Sequence, residues 1–253
     1  MLAGQGSQRI FHEREPSEGI AVVTGAGSGI GRAIALELAR CGMPCCLVGR
    51  TLNKLQSVAG SPDPVDVELI PIEVDLCDLG AIAALAQRIR SFGWRVAVLV
   101  HSAAIMRFSR IEESSVEEFG KVLDVNLVAP FALTKHLLAD ICASKGQIVF
   151  VNSSVVNHPA AGTIQYAASK HALKGMADGL RQELNAFGVR VISVYPGRTA
   201  TPLQASLCEA EGKEYRANEL LQPEDVAAIV VRAVQLPRTA EVTDIMIRPA
   251  VRS

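Results

Sequence analysis

A short apolar run from Gly19 to Thr24 opens directly onto Gly25-Ala26-Gly27-Ser28-Gly29-Ile30-Gly31, and Arg32 to Arg40 follows with the composition of a helix. No other segment restricts the fold as much. The valine-rich run reads as a buried strand. Ile34, Leu36, Leu38 and the alanines among them give the helix its apolar face. Between the two, glycines let the main chain turn tightly and approach a ligand closely. A pyrophosphate seated there meets the N-terminus of the helix, where unpaired N–H groups and the helix dipole favour negative charge. The spacing is Thr24-Gly25-x-x-x-Gly29-x-Gly31; Ile30 interrupts the G-x-G-x-x-G spelling of the dinucleotide fingerprint. A merely flexible turn has the same composition, but not a strand on one side and a helix on the other.

The alternation continues. Strand candidates at Cys45–Gly49, Val67–Val74, Val96–Val100, Ile148–Val151, Val189–Val194 and Val242–Ile247 alternate with helix candidates. The helices are Leu52–Val58, Leu79–Phe92, Ser115–Leu123 with Pro130–Ser144, Ile164–Phe187 and Pro223–Gln235. Strands joined by helices pair in parallel, and valine- and isoleucine-rich strands are buried on both faces. The expected architecture is α/β: a single doubly wound parallel sheet of Rossmann type with helices on both faces. The 253 residues suit one such domain with a sizeable core. We assign it residues 18–253, and read residues 1–17, polar and without an apolar centre, as a loose tail. Ser61-Pro62-Asp63-Pro64 reads as a loop within the domain.

Ligands of such sheets lie beyond the carboxyl ends of the strands, and the candidate functional residues follow strand candidates. Val149-Phe150-Val151 leads into Asn152-Ser153-Ser154, and Tyr166-Ala167-Ala168-Ser169-Lys170 comes thirteen residues after Ser153. Tyr166 and Lys170, at i and i+4, share a helix face. An ammonium beside a phenol favours the phenolate, so Tyr166 is expected to titrate below its ordinary value near ~10. A serine hydroxyl can hold a substrate oxygen against that phenol. Ser153 and Ser154 both offer one; the spacing to Tyr166 favours Ser153. Each feature alone has an ordinary alternative, such as a surface Tyr/Lys pair or a serine opening a turn. Their gathering on one rim is not what independent ordinary features would give.

Taken in order from about Ile20 to near the C-terminus, these residues make the chain similar to the short-chain dehydrogenase/reductase family. The resemblance implies an NAD(P)-dependent oxidoreductase interconverting a carbonyl and a secondary alcohol. It gives Tyr166 the acid/base role, Ser153 the substrate oxygen, and Lys170 the tuning of the tyrosine and a contact to the nicotinamide ribose. Asn126, in Asp124-Val125-Asn126-Leu127, matches an asparagine that supports a water relay to the lysine. Gly25, Ser28, Gly29, Ile30 and Gly31 match the cofactor loop, and Asp75 with Leu76 the residues beside the adenine. Ala103 and Ala104 follow the fourth strand; Pro196, Gly197, Thr199 and Thr201 match the segment that closes over the nicotinamide. His101-Ser102-Ala103-Ala104 departs from the family's usual Asn-Asn-Ala-Gly and puts a methyl at Ala104 where the cofactor approaches. His101 itself reads as a buried, hydrogen-bonded histidine.

An acidic side chain ending the second strand would bind the ribose 2′-hydroxyl of NAD. Gly49 stands there and Arg50 follows, so NADP is favoured over NAD through pairing with a 2′-phosphate. A net charge of −1, with scattered cations, argues against a nucleic-acid footprint. No apolar run reaches the ~20 residues of a membrane span. Six cysteines without a C-x-x-C pair supply no zinc or thioredoxin-type motif. Most lie in apolar stretches, read as buried thiols, and fit a reducing cytoplasm. The expected substrate is a small carbonyl or alcohol, between apolar walls that include Ile105, Met106, Pro159, Ala160 and Leu203, under a cover from Thr199 to Leu220. The family usually forms homodimers or homotetramers through the tyrosine-bearing helix, where Ala167, Ala168, Ala172, Leu173, Met176 and Ala177 are the candidate contacts. Two other readings stay open: a dinucleotide-binding sensor that has lost catalysis, and a β-ketoacyl thioester reductase, for which no basic patch is evident.

Overall fold

The structure, a computed structural model, describes residues 19–61 and 66–250. The expected tail and Pro62 to Pro64 of the expected loop lie outside the described residues. Strands β1 (Gly19–Thr24), β2 (Cys45–Gly49), β3 (Leu69–Glu73), β4 (Arg95–His101), β5 (Gln147–Val151), β6 (Arg190–Pro196) and β7 (Asp244–Ile247) form one sheet. Its order is β3-β2-β1-β4-β5-β6-β7, and every neighbouring pair is parallel. The helices are α1 (Gly29–Arg40), α2 (Leu52–Ala59), α3 (Leu79–Ser91), α4 (Val116–Leu123), α5 (Ala129–Ala143), α6 (Ile164–Leu184), α7 (Pro202–Ala210) and α8 (Pro223–Val234). This is the expected doubly wound sheet.

Side chains of a strand alternate between faces, and here both faces are covered. Ile20, Val22, Cys46, Val48, Leu99 and Phe150 pack with Ile82 and Leu85 of α3, Leu133 and Leu137 of α5, and Leu173 of α6. Ala21, Val23, Cys45, Leu47, Val100 and Val149 pack with Ile34 of α1, Leu55 of α2, and Val226 and Val230 of α8. Two cores, one per face, explain why the strands carry no polar alternation. Burying one of these Leu, Ile or Val side chains stabilises by roughly 1.5–3 kcal/mol relative to exposure.

Two expectations are corrected. The helices expected at Ser115–Leu123 and Pro130–Ser144 are continuous, joined by a wider π turn at Asp124–Val128. Pro130 lacks the N–H that an α-helix would donate to the Asn126 carbonyl, and the wider turn accommodates that defect. The resulting helix, Val116–Ala143, is long and apolar enough to cross a membrane by length and composition, although Glu117, Glu118, Lys121, Asp124, Lys135 and Asp140 interrupt it, so it is not the uninterrupted apolar run of a membrane span. Its Ala129, Leu133, Leu137 and Ile141 belong to the core. The six cysteines are free thiols, but only Cys45, Cys46 and Cys208 are buried; Cys142 is half-buried, and Cys41 and Cys77 are exposed at turns.

Candidate active site

β1 and β4 are neighbours at the centre of the sheet, and from them the chain winds outward in opposite directions. A cleft of about 400 Å3 opens at the carboxyl ends of the strands there, where that reversal leaves a gap between loops.

The glycine loop forms one wall. Gly25 (φ +68°) and Gly29 (φ +53°) adopt a left-handed backbone that costs little only without a side chain. A Cβ on Gly31 would stand 2.5 Å from the Gly25 carbonyl oxygen, so the loop folds closely upon itself. Ser28 precedes α1 at its N-cap, but its side chain makes no capping bond. Among the described residues the first-turn N–H groups of α1 have no side-chain partner, and Ser28, Gly29, Ile30 and Gly31 line the cleft. That donor set fits the pyrophosphate of a dinucleotide.

Thr24 secures the neighbouring loop. Its hydroxyl accepts from Ser102 N (3.1 Å) and Ala103 N (3.2 Å) and donates to Val100 O (3.3 Å). His101 stacks on Phe150 with ring centroids 5.0 Å apart, and its Nε2 lies 2.9 Å from the Thr134 hydroxyl. Burial, assisted by the Lys170 charge, holds its pKa down to about 3, so the imidazole is neutral. The departure from Asn-Asn-Ala-Gly is thus absorbed. The ties run through Thr24 and Thr134, and Ala103 and Ala104 line the cleft.

The centre is built by β5 and α6. Ser153 N donates to Asn152 Oδ1 (3.0 Å), and Asn152 Nδ2 reaches the Lys170 carbonyl (3.2 Å). The Ser153 hydroxyl accepts from Val155 N (3.2 Å) and is near enough to the Tyr166 phenol to favour its phenolate. Lys170 is 1% exposed; its Nζ donates to Val151 O (2.8 Å) and lies 5.6 Å from the centroid of the Tyr166 ring. The expected acidification of Tyr166 is not what this geometry gives. Burial pushes the phenol up to about 12, and the neighbouring Ser153 hydroxyl offsets only part of that. Burial likewise pushes Lys170 down to about 7. Desolvation of both groups outweighs their pairing, and the ammonium sits at the ring while its hydrogen bond goes to the main chain. Tyr166 is therefore a protonated donor at neutral pH.

Asn126 stands behind the cleft rather than in its lining. Its Oδ1 accepts from Ile105 N (2.9 Å), and its Nδ2 donates to Ile105 O (2.9 Å) and Ser169 Oγ (3.0 Å). Ser169 in turn donates to the Tyr166 carbonyl (2.7 Å). Asn126 thus fastens the loop after β4 to the tyrosine helix. On the far side, Gly197 N donates to Ile247 O (2.7 Å), Thr199 bridges to Leu221, and Thr201 caps α7 by accepting from Gln204 N (3.2 Å). A Cβ on Gly29 would meet Thr201 Cγ2 at 3.0 Å, so the base of α7 touches the glycine loop.

The profile of the short chain dehydrogenase family matches residues 19–212, which run from β1 through α7. The chain belongs to the short-chain dehydrogenase family. An uncharacterised short-chain type dehydrogenase/reductase of Sinorhizobium fredii is 33% identical over 238 residues, covering 91% of each chain. Glycine betaine reductase of Emericella nidulans is 31% identical over 235 residues, which are 91% of this chain and 18% of that one. Among solved structures, alcohol dehydrogenase of Thermococcus sibiricus complexed with 5-hydroxy-NADP superposes with a TM-score of 0.84 at 27% identity, covering 93% of this chain and 98% of that one. Actinorhodin polyketide ketoreductase with NADPH gives 0.84 at 26% identity, covering 92% and 97%.

In this short-chain dehydrogenase the residues assigned from sequence converge. Gly25, Ser28, Gly29, Ile30, Gly31, Arg50, Asp75, Leu76, Ala103, Ala104, Ser153, Tyr166, Lys170, Pro196, Gly197, Thr199 and Thr201 all line the one cleft. Of the expected apolar wall, Ile105, Met106, Ala160 and Leu203 line it, whereas Pro159 is exposed outside it. Sequence reasoning missed the tie made by Thr24, although that threonine opens the glycine motif. It also missed Asn152, which directly precedes Ser153. The cleft residues His158, Arg198 and Glu211 carried no signal, because nothing local in the chain relates them.

Proposed function

We propose that this short-chain dehydrogenase is an NADP(H)-preferring oxidoreductase that interconverts a small carbonyl compound and a secondary alcohol, with Ser153, Tyr166 and Lys170 as its catalytic residues. One observation carries this reading. A buried, protonated phenol beside a serine hydroxyl, with a lysine against its ring, faces a cleft walled by an anion-binding glycine loop. A nicotinamide dinucleotide bound in that cleft supplies the hydride for the carbonyl carbon.

The chain's own residues do the rest. The first-turn N–H groups of α1 would hold the pyrophosphate, Arg50 would pair with the 2′-phosphate, and Asp75 and Leu76 would flank the adenine. Pro196, Gly197, Thr199 and Thr201 would enclose the nicotinamide side. As charge builds on the carbonyl oxygen, Ser153 donates a hydrogen bond to it and Tyr166 gives it a proton. The high pKa of Tyr166 keeps the proton in place until that charge appears. The phenolate left behind lies within reach of the Lys170 charge. Asn126 fixes the loop and helix that frame this step and supports the relay that returns a proton to Lys170. The preference for NADP rests on Gly49, which ends β2, and Arg50 directly after it, and on relatives of the same fold solved with NADP-type coenzymes.

The same reading puts the enzyme in the cytoplasm as a homodimer or homotetramer. α6 exposes Ala168, Gly175 and Gly179 beside half-buried Ala172, small residues that allow a second copy to approach closely. Ala167, Leu173 and Ala177, expected among those contacts, are buried within the protomer.

A screen of ketones, aldehydes and secondary alcohols with both coenzymes, with Tyr166→Phe as the blank, tests the proposal. Turnover that falls ~10²-fold or more in the variant, at unchanged coenzyme affinity, is expected. Equal turnover by the variant overturns the mechanism, and a wild-type preference for NADH overturns the coenzyme assignment.

A further inference from the structure

Arg198 follows Gly197 at the exit of β6, and Glu211 follows the last turn of α7; both line the cleft. The Glu211 carboxylate is 9% exposed. Burial pushes its pKa up, but hydrogen bonds from Lys213 and Arg198 outweigh burial and hold it below its ordinary value. Arg198 Nη2 donates to both carboxylate oxygens, at 3.1 and 2.9 Å, and Lys213 Nζ lies 3.0 Å from Oε2. One half-buried anion therefore faces two cations, and a positive charge is left over.

Arg198 commits a single nitrogen to that contact. Its Nε and Nη1, which carry three of the five guanidinium N–H donors, have no protein partner among the described residues. The side chain is 41% exposed, so these donors are open to solvent and to what enters the cleft. A planar guanidinium recognises carboxylate or phosphate oxygens in pairs. Held on one side by Glu211, it has already lost part of the rotamer freedom that ligand binding would otherwise cost. The walls contributed by Ile105, Met106 and Leu203 offer no competing charge.

We infer that Arg198 is a specificity-determining residue that receives an anionic group of the substrate, a carboxylate or phosphate ester borne by the carbonyl compound, with Glu211 orienting the guanidinium. The inference rests on the reading of the cleft as a carbonyl-reducing site. Glu211 then has two effects: it aims Arg198, and its charge competes with the incoming anion. An ion pair that merely pins α7 would behave differently, because breaking it from either end would harm every substrate alike.

The test uses matched pairs: 2-oxo and 4-oxo acids against their methyl esters, and dihydroxyacetone phosphate against dihydroxyacetone. Steady-state rates with NADPH are compared for the wild type, Arg198→Met, Arg198→Lys and Glu211→Gln. In Arg198→Met the kcat/KM of the anionic member falls ~10-fold or more relative to its neutral partner, chiefly through KM. Arg198→Lys recovers part of that ratio, and Glu211→Gln raises it above wild type. Which pair responds tells carboxylate from phosphate. Equal losses for both members, a wild-type preference for the neutral member, or Arg198→Met and Glu211→Gln shifting the ratio in the same direction overturns the inference. Should no carbonyl be turned over, the reading of the cleft fails. Calorimetry of the same anions with coenzyme-saturated wild type and Arg198→Met still decides the anion contact: unchanged or absent binding overturns it.

Discussion

Tyr166 and Lys170 were legible as a pair, because a four-residue spacing on a helix fixes their common face. Their ionisation was not, because spacing carries no information about burial. Lys170 titrates near 7 in the folded protein against an ordinary 10.5. Between those pH values the unfolded chain binds the extra proton, so this site's contribution to stability rises with pH and is least favourable below about 7. Lys170→Met removes that dependence. The melting temperature of the variant should exceed that of the wild type most near pH 7 and converge with it toward 10.5, as followed by thermal unfolding across that range. A constant difference would contradict the burial argument. In catalysis the direction reverses. Carbonyl reduction should slow as pH rises past about 7, because the neutralised amine no longer stabilises the phenolate. A pH–rate profile that climbs through this region would count against the role of Lys170.

At the level of elements, strands and most helices were legible because apolar runs and glycine or proline breaks mark them. The π turn at Asp124–Val128 was not, since a proline inside a helical pattern reads as a break unless tertiary contacts hold the helix together. Here Asn126 supplies such a contact through Ile105 and Ser169. A second long-range tie lies at the opposite, N-terminal ends of the strands. Arg190 at the start of β6 donates to the carbonyls of Val234, Leu236, Pro237 and Ala240, closing the C-terminus of α8. Gln147 adds a bond to the Val234 carbonyl (2.9 Å). Arg190→Met strands these acceptors and should lower unfolding stability by roughly 1–3 kcal/mol in urea. Because none of these groups lines the cleft, kcat should change little. A variant as stable as the wild type would show the carbonyls to be satisfied otherwise.

For the molecule as a whole, parallel order and central reversal followed from alternating strands and helices, and with them the position of the cleft. What no local pattern could give was the convergence of Arg198 and Glu211 on that cleft, or which exposed surface meets a second copy. Light scattering should report about 54 kDa for a dimer, twice 26.9 kDa, or about 108 kDa for a tetramer. Replacing Gly175 and Gly179 with Leu, on the open face of α6, should shift the population toward monomer. The coenzyme assignment also belongs to this scale, since Arg50 and Tyr166, remote in the chain, line the same cleft. Arg50→Ala should reduce the NADPH-over-NADH preference in kcat/KM by ~10-fold or more, with an unchanged ratio refuting its contact to the 2′-phosphate. The most direct test of the central claim follows an isotope. With NADPH deuterated at the transferred position, wild-type product alcohol should carry deuterium on its carbinol carbon, and Tyr166→Phe should form it ~10²-fold more slowly. Coenzyme oxidation without a deuterated alcohol, or wild-type rates in Tyr166→Phe, would contradict the account.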